Sequence, residues 1–279
     1  MPTDDTQTIV TLLADTIENI TVSRNQNIVF HLQNFTISYS GLQPVIANYG
    51  SIQISNGIIA SSSSGDAAIN NYGTINISGG DINITASDDA INGASTETSS
   101  TTTSTTGRPG MDQFKNSNGK ITISGGTIKA VSEGDTIDCN GTIDMTGGTV
   151  YVESSNNGAE TALDHDSTLT VSGGTLIAIS KSTGANDIGT RSSTIPMLVA
   201  NVSSSSGAIT LGDISYTPSI SGYTYIIIAS SKLSATSYSL VYGNNTASVT
   251  LTNGVTTYGN ASNSGGMNQG GMGPGGNRR

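Results

Sequence analysis

Gly134-Asp-Thr-Ile-Asp-Cys-Asn-Gly-Thr-Ile-Asp-Met-Thr-Gly-Gly-Thr-Val-Tyr-Val152 holds one whole structural unit of this 279-residue chain. Apolar Ile143 and Met145 alternate with polar Thr142, Asp144 and Thr146, the period-two pattern of a strand with one buried face. Gly147-Gly148 then permits a bend without side-chain clash. Val150 and Val152 start a second alternation, and Ile137, beside the acidic turn, is a third inward position. The unit recurs as Gly73-Thr-Ile-Asn-Ile-Ser-Gly-Gly80, Gly119-Lys-Ile-Thr-Ile-Ser-Gly-Gly126 and Ser167-Thr-Leu-Thr-Val-Ser-Gly-Gly174. The second glycines are 46, 22 and 26 residues apart, and Gly57 stands 23 before the first. A period of about 22 residues with three apolar faces predicts an all-β solenoid, a three-sided parallel β-helix with one repeat per coil.

From this unit the rest of the chain falls into place. Residues 1–49 carry weaker alternations (Val10 and Leu12, Ile20 and Val22, Ile28, Phe30 and Leu32, Phe35 and Ile37) and are expected to form opening coils. Residues 50–187 form the core. The doubled interval holds 94–118, a Ser/Thr/Gly-rich stretch with only Met111 and Phe114 as large apolar residues, which predicts an excursion from one turn. Past Ile188 the glycine punctuation ends. Residues 188–258 read as strands that cap the open solenoid end, and 259–279 as a Gly/Met tail with nothing to bury.

Composition narrows the function. The net charge is −10, with 20 acids against 10 bases, which argues against a nucleic-acid partner. No stretch approaches the ~20 apolar residues of a membrane span. The start, Met-Pro-Thr-Asp-Asp, has no basic n-region and apolar run, so either the protein is cytosolic or its signal peptide is missing from the sequence; the second, with an extracellular or cell-surface location, is expected. Cys139 is the single cysteine, so no intrachain disulfide forms; it is expected to pack as a small side chain at the turn.

The acids are grouped. Asp66, Asp88 and Asp89, Asp135 with Asp138 and Asn140, and Glu160 with Asp164 and Asp166 fall at one turn of successive coils. Coils stack about 4.7–4.9 Å apart, and carboxylates that close repel one another. A calcium ion, which takes Asp, Asn and carbonyl oxygens, would relieve the conflict. The competing reading is a ladder of Asp/Asn turn formers. Transition metals fit poorly, with only His31 and His165 and no cysteine pair. His31, between Phe30 and Leu32, reads as an outward strand residue. His165 and Asn92 are candidate ligand contacts beside the acids, although a solvent-exposed turn residue is the commoner case for such a histidine.

At these turns the chain resembles a bacterial family of carbohydrate-binding domain-containing proteins. Gly134-Asp-Thr-Ile-Asp-Cys-Asn-Gly141 is similar to that family's Gly-Asp-Gly-Ile-Asp-Ser-Asn-Gly segment. Ala162-Leu-Asp-His-Asp166 is similar to its Ala-Leu-Asp-Tyr-Asp turn. The likeness spans roughly residues 60–279. It implies a right-handed, single-stranded parallel β-helix of the pectate-lyase kind, bound calcium, and binding to plant cell-wall polysaccharide such as polygalacturonate or cellulose. Thr136, Cys139 and His165 depart from the family pattern.

The function expected is thus non-catalytic, calcium-dependent polysaccharide binding, with an acidic glycan preferred because calcium can bridge protein and uronate carboxylates. Two alternatives stand beside it. A lyase would need a basic residue near the uronate α-proton; the candidates are Arg108, Lys115, Lys120, Lys129, Lys181 and Arg191, none in a recognisable motif. An adhesive or ice-binding solenoid would need a flat array such as Thr127, Thr149 and Thr175, which Lys129, Tyr151 and Ile177 interrupt. Sequence does not set the oligomeric state.

Overall fold

A computed structural model describes residues 6–62, 66–94, 119–158, 160–182 and 189–261. Among these residues there is no helix, and three walls of parallel strands build a β-solenoid of about six turns. The first wall stacks Gln7–Thr11, Asn27–His31 and Ser51–Ser55, then residues 74–78, 119–123, Gly141–Met145, Thr168–Val171 and Thr190–Ser193. The second stacks Thr16–Ile17, Thr36–Tyr39 and Gly57–Ser61, then residues 81–86 and 127–132, Thr149–Ser154 and Thr175–Ser180. The third is a six-stranded sheet of short strands from Ile20–Val22 to Leu163–His165.

Each wall turns one column of branched side chains inward. Ile75, Ile121, Ile143 and Leu169 are consecutive partners in the first wall. Ile82, Ile128, Val150 and Leu176 are partners in the second, and Ile69, Ile91, Ile137 and Leu163 in the third. All are buried in one continuous core. Each fully buried side chain of this size contributes about 1.5–3 kcal/mol, so the repeated column holds the coils together. The Gly-Gly corners let a strand pass from the first wall to the second. The second glycine of each pair, at 80, 126, 148 and 174, has φ between 76° and 82°, where a Cβ would be strained.

The coils on either side of the doubled interval lie directly against each other. Thr74–Ala86 pairs with Gly119–Ser132, and Ile91–Gly93 with Ile137–Cys139. Residues 95–118 and 262–279 lie outside the described residues, and with them most of the expected excursion and the tail.

The C-terminal strands do two things. Tyr223–Ser230 pairs antiparallel with Thr175–Ser180, and Met197–Ser205 and Val255–Tyr258 extend that sheet. Met197, Val199, Tyr225 and Ile227 thereby continue the solenoid core. A separate antiparallel sheet, Ile209–Leu211, Ile214–Tyr216, Ser237–Tyr242 and Asn245–Thr250, packs against the outward side of the second wall and encloses Ile177 and Ile179 in a second core. The cap therefore covers a flank as well as an edge. Glu153 fastens it. This buried carboxylate accepts bonds from the Tyr216 hydroxyl, the Ser219 backbone N–H at 2.9 Å and hydroxyl at 2.6 Å, and the Ile220 N–H at 3.0 Å. The Tyr151 and Tyr216 rings stack beside it at 4.6 Å.

Candidate functional site

Strand register sorts the acidic turns into separate ranks along the third wall. Asn70, Asn92, Asp138 and Asp164 are successive register partners at the outward middle position of the short strands. Asp66, Asp88 and Glu160 precede these strands, with Gly134 at the corresponding place in the fifth coil. Asp89 and Asp135 form the rank between, and the Asp135 N–H donates to Asp89 Oδ1 at 2.8 Å. Asn140 and Asp166 follow the strands, as Tyr49 and Tyr72 do in earlier coils. These eleven acidic and amide positions thus share one corner of the solenoid but do not converge on one point. Among the described residues, no three His, Cys, Asp or Glu side chains form a metal-holding group.

Several of these carboxylates serve the backbone. Asp135 accepts the Thr161 N–H across the coil boundary. Asp164 accepts the His165 N–H at 2.7 Å, and Asp66 accepts the Ala67 N–H at 3.0 Å and the Asn70 amide at 2.8 Å. That is the turn-forming role of Asp and Asn. These bonds leave the electrostatic strain in place. Burial lifts Asp135 well above the ordinary carboxylate value, helped by its hydrogen bond to Glu160 and the charges of Asp164 and Asp89. Burial also raises Asp88, with Glu160 adding to it, and Asp66, with Asp88 adding to it. Asp164 is raised by burial and, more weakly, by Asp166 and Glu160. The corner is a desolvated row of mutually repelling acids.

Two amide oxygens lie in the same row without a hydrogen-bond partner, Asn70 Oδ1 and Asn92 Oδ1, on adjacent coils. Asn70 is buried and Asn92 half-buried. An oxygen left so is costly unless a donor or cation meets it. With Asp66 and Asp88 four residues before them, they supply the mixed carboxylate and carbonyl oxygens that suit a hard cation.

At the same corner, two copies of Asn-Tyr-Gly stand 23 residues apart, at 48–50 and 71–73. The asparagines point inward. Asn48 Nδ2 donates to Asn71 Oδ1 at 2.6 Å, Asn48 Oδ1 accepts the Gly50 N–H at 3.1 Å, and Asn71 Nδ2 donates to the Gly73 carbonyl at 3.2 Å. A Cβ at Gly73 would collide with the Gly50 carbonyl oxygen, so the tight turn needs glycine there. This turn throws Tyr49 and Tyr72 outward, and their rings stack with centroids 4.9 Å apart.

His165 is not on the turn surface. It is fully buried, facing the core beyond Cys139, and burial together with nearby Arg191 pulls its imidazole down to about 4. Cys139 is buried too, its thiol pushed up to about 12 by burial and by Asp138. Arg191 is buried as well, in the first-wall column above Leu169 and 6.0 Å from the Tyr225 ring centroid. Cys139 and His165 belong to the interior because their strand positions alternate with outward Asp138 and Asp164, and Arg191 because it continues the inward column of Leu169. His31 faces outward and bonds Ser55 Oγ through Nδ1 at 2.9 Å.

Residues 41–158 match the family model of carbohydrate-binding domain-containing protein. The matched segment is less than half of the chain and begins earlier than the sequence likeness noted above. Within it lie both Asn-Tyr-Gly turns and the acidic row from Asp66 to Asn140, while Glu160, Asp164 and Asp166 fall beyond. No curated protein and no solved structure gives a significant match to the chain.

Proposed function

We propose that this solenoid is a non-catalytic polysaccharide-binding protein that uses calcium at its acidic corner and favours an acidic glycan such as polygalacturonate. The observation that carries this reading is a coincidence of place: the carbohydrate-binding family match covers the segment in which half-buried acids and unpartnered amide oxygens line one edge. Asp66, Asn70, Asp88 and Asn92 are the residues that would hold the ion. Asp138, Asp164 and Asp166 continue the acidic edge along which further ions could neutralise charge. Bound calcium supplies positive charge between two anionic partners, so a chain of net charge −10 can meet a polyuronate without repulsion.

Two of the basic candidates for lyase chemistry are engaged elsewhere, while Lys129 stands exposed on the second wall. Lys120 is tied to Asp144 at 2.9 Å, and Arg191 is enclosed in the core. Arg108 and Lys115 lie outside the described residues. Of the stacked threonines, Thr175 is buried against Ser230 Oγ at 2.9 Å, so the Thr column does not form an open flat face. The reading is tested by incubating the protein with polygalacturonate, cellulose and xylan, with calcium and again with chelator, while following unsaturated-product absorbance. Calcium-dependent retention on polygalacturonate without product is expected. Sustained product formation would make it a lyase, and retention that ignores chelator would remove calcium from the account.

A further inference from the structure

We infer that the outer face of Tyr49, on the Tyr49–Tyr72 stack, is a sugar-contacting platform that seats one pyranose unit of a polysaccharide chain. The inference rests on the polysaccharide-binding reading and gives it a place.

Tyr49 is 39% exposed and is the one exposed aromatic side chain among the described residues. One ring face is covered by Tyr72, nearly parallel at 15°. In the coil on its other side the corresponding residue is Ser23, since the Tyr49 N–H bonds the Val22 carbonyl as the Tyr72 N–H bonds that of Asn48. Ser23 is small and exposed, so no ring covers that face. At the other end of the stack the corresponding residue is buried Ala94. The face of Tyr49 turned toward Ser23 is therefore without a ring over it.

An aromatic face carries negative charge density, and the axial C–H bonds of a pyranose are weakly positive. The two surfaces stack as they do in other aromatic contacts. A lone exposed ring would be weak grounds by itself, but this one is braced from behind by a held ring. Asn70 Nδ2 donates to the Tyr72 hydroxyl at 2.9 Å and to Asp66 Oδ1 at 2.8 Å. Asn70 is only 8% exposed, and its Oδ1 has no hydrogen-bond partner. The cation-type oxygens begin one coil beyond Tyr49, on the Tyr72 side of the stack, so a polysaccharide chain running along this edge would pass from the platform to the acidic row. The fixed inward Asn48–Asn71 ladder holds both turns, so little side-chain freedom is lost on binding.

The test compares retention of the whole chain on polygalacturonate and on cellulose, in calcium, for wild type, Tyr49→Phe, Tyr49→Leu and Tyr49→Ala, with thermal midpoints measured in parallel. Tyr49→Leu keeps an apolar body over Tyr72, which guards against a folding defect in the alanine variant. The expected result is retention by wild type and Tyr49→Phe, and affinity lower by about tenfold or more in the leucine and alanine variants. Wild-type retention with undiminished binding by a folded Tyr49→Leu would overturn the platform while leaving the polysaccharide reading intact. A wild type that binds neither polymer would overturn both.

Discussion

The backbone N–H of Asp135 donates to Oδ1 of Asp89 at 2.8 Å, across 46 positions of sequence. One contact thus joins two acidic turns and marks the coils on either side of the doubled interval as neighbours. In the next coil Asn140 leads straight into Gly141, which pairs with Gly119. The same step, from Ala94 to Gly119, is short enough to make without any intervening residue, because an added Cβ on Gly119 would lie 3.5 Å from Ala94 Cα. Deleting residues 95–118 and joining Ala94 to Gly119 should therefore leave a cooperatively folded protein. Its thermal midpoint should lie within about 4 °C of wild type by circular dichroism. Loss of cooperative unfolding would show that those residues are part of the coil.

Glu153 holds the flanking sheet by accepting from Tyr216, Ser219 and Ile220. Glu153→Ala strands several buried donors and should cost about 3 kcal/mol. Glu153→Gln should not rescue fully, since even with its carbonyl oxygen in the Oε2 position it lacks the charge that strengthens these bonds. Urea unfolding checks this. A variant as stable as wild type would mean the sheet is held by its apolar core alone.

The acidic corner sets an unusual pH dependence. Asp66, Asp88, Asp135 and Asp164 are all raised above the ordinary 3.8 by burial. A carboxyl with a raised folded value binds its proton more tightly folded than unfolded, so its contribution to stability grows as pH falls toward and through that folded value. In chelator the thermal midpoint should climb as pH drops from 7 toward 5. Saturating calcium should raise the midpoint at pH 7 and flatten the climb, because the ion then does the neutralising. A midpoint that falls steadily with pH in chelator would contradict this.

Cys139 is buried and its thiol is pushed up to about 12, so almost none is thiolate at pH 8. A thiol reagent should leave the native protein unmodified for hours and react within minutes in denaturant. Rapid native reaction would place the thiol at the surface.

The β-helix was legible because its signal is local and repeated. A Gly-Gly corner after two alternating apolar residues names a wall, and the inward columns of Ile69, Ile91, Ile137 and Leu163 follow from period-two alternation alone. Alternation also determines that His165 and Cys139 point inward, next to outward Asp138 and Asp164, even within so dense a run of acids. The carboxylates were visible as a cluster, yet their division into ranks depends on strand register, which composition does not report. Glu153 occupies an outward strand position, and only the sheet folded back over 60 residues later buries it. Tyr49 and Tyr72 were missed as a pair, though the repeated Asn-Tyr-Gly at the coil interval was there to read.

Calcium-dependent recognition of an acidic polysaccharide is the claim on which the account stands, and affinity electrophoresis of the whole chain through gels cast with polygalacturonate tests it most directly. With calcium the band should be strongly retarded relative to a gel without polymer, and with chelator it should run free. Equal mobility in all three gels would contradict the account.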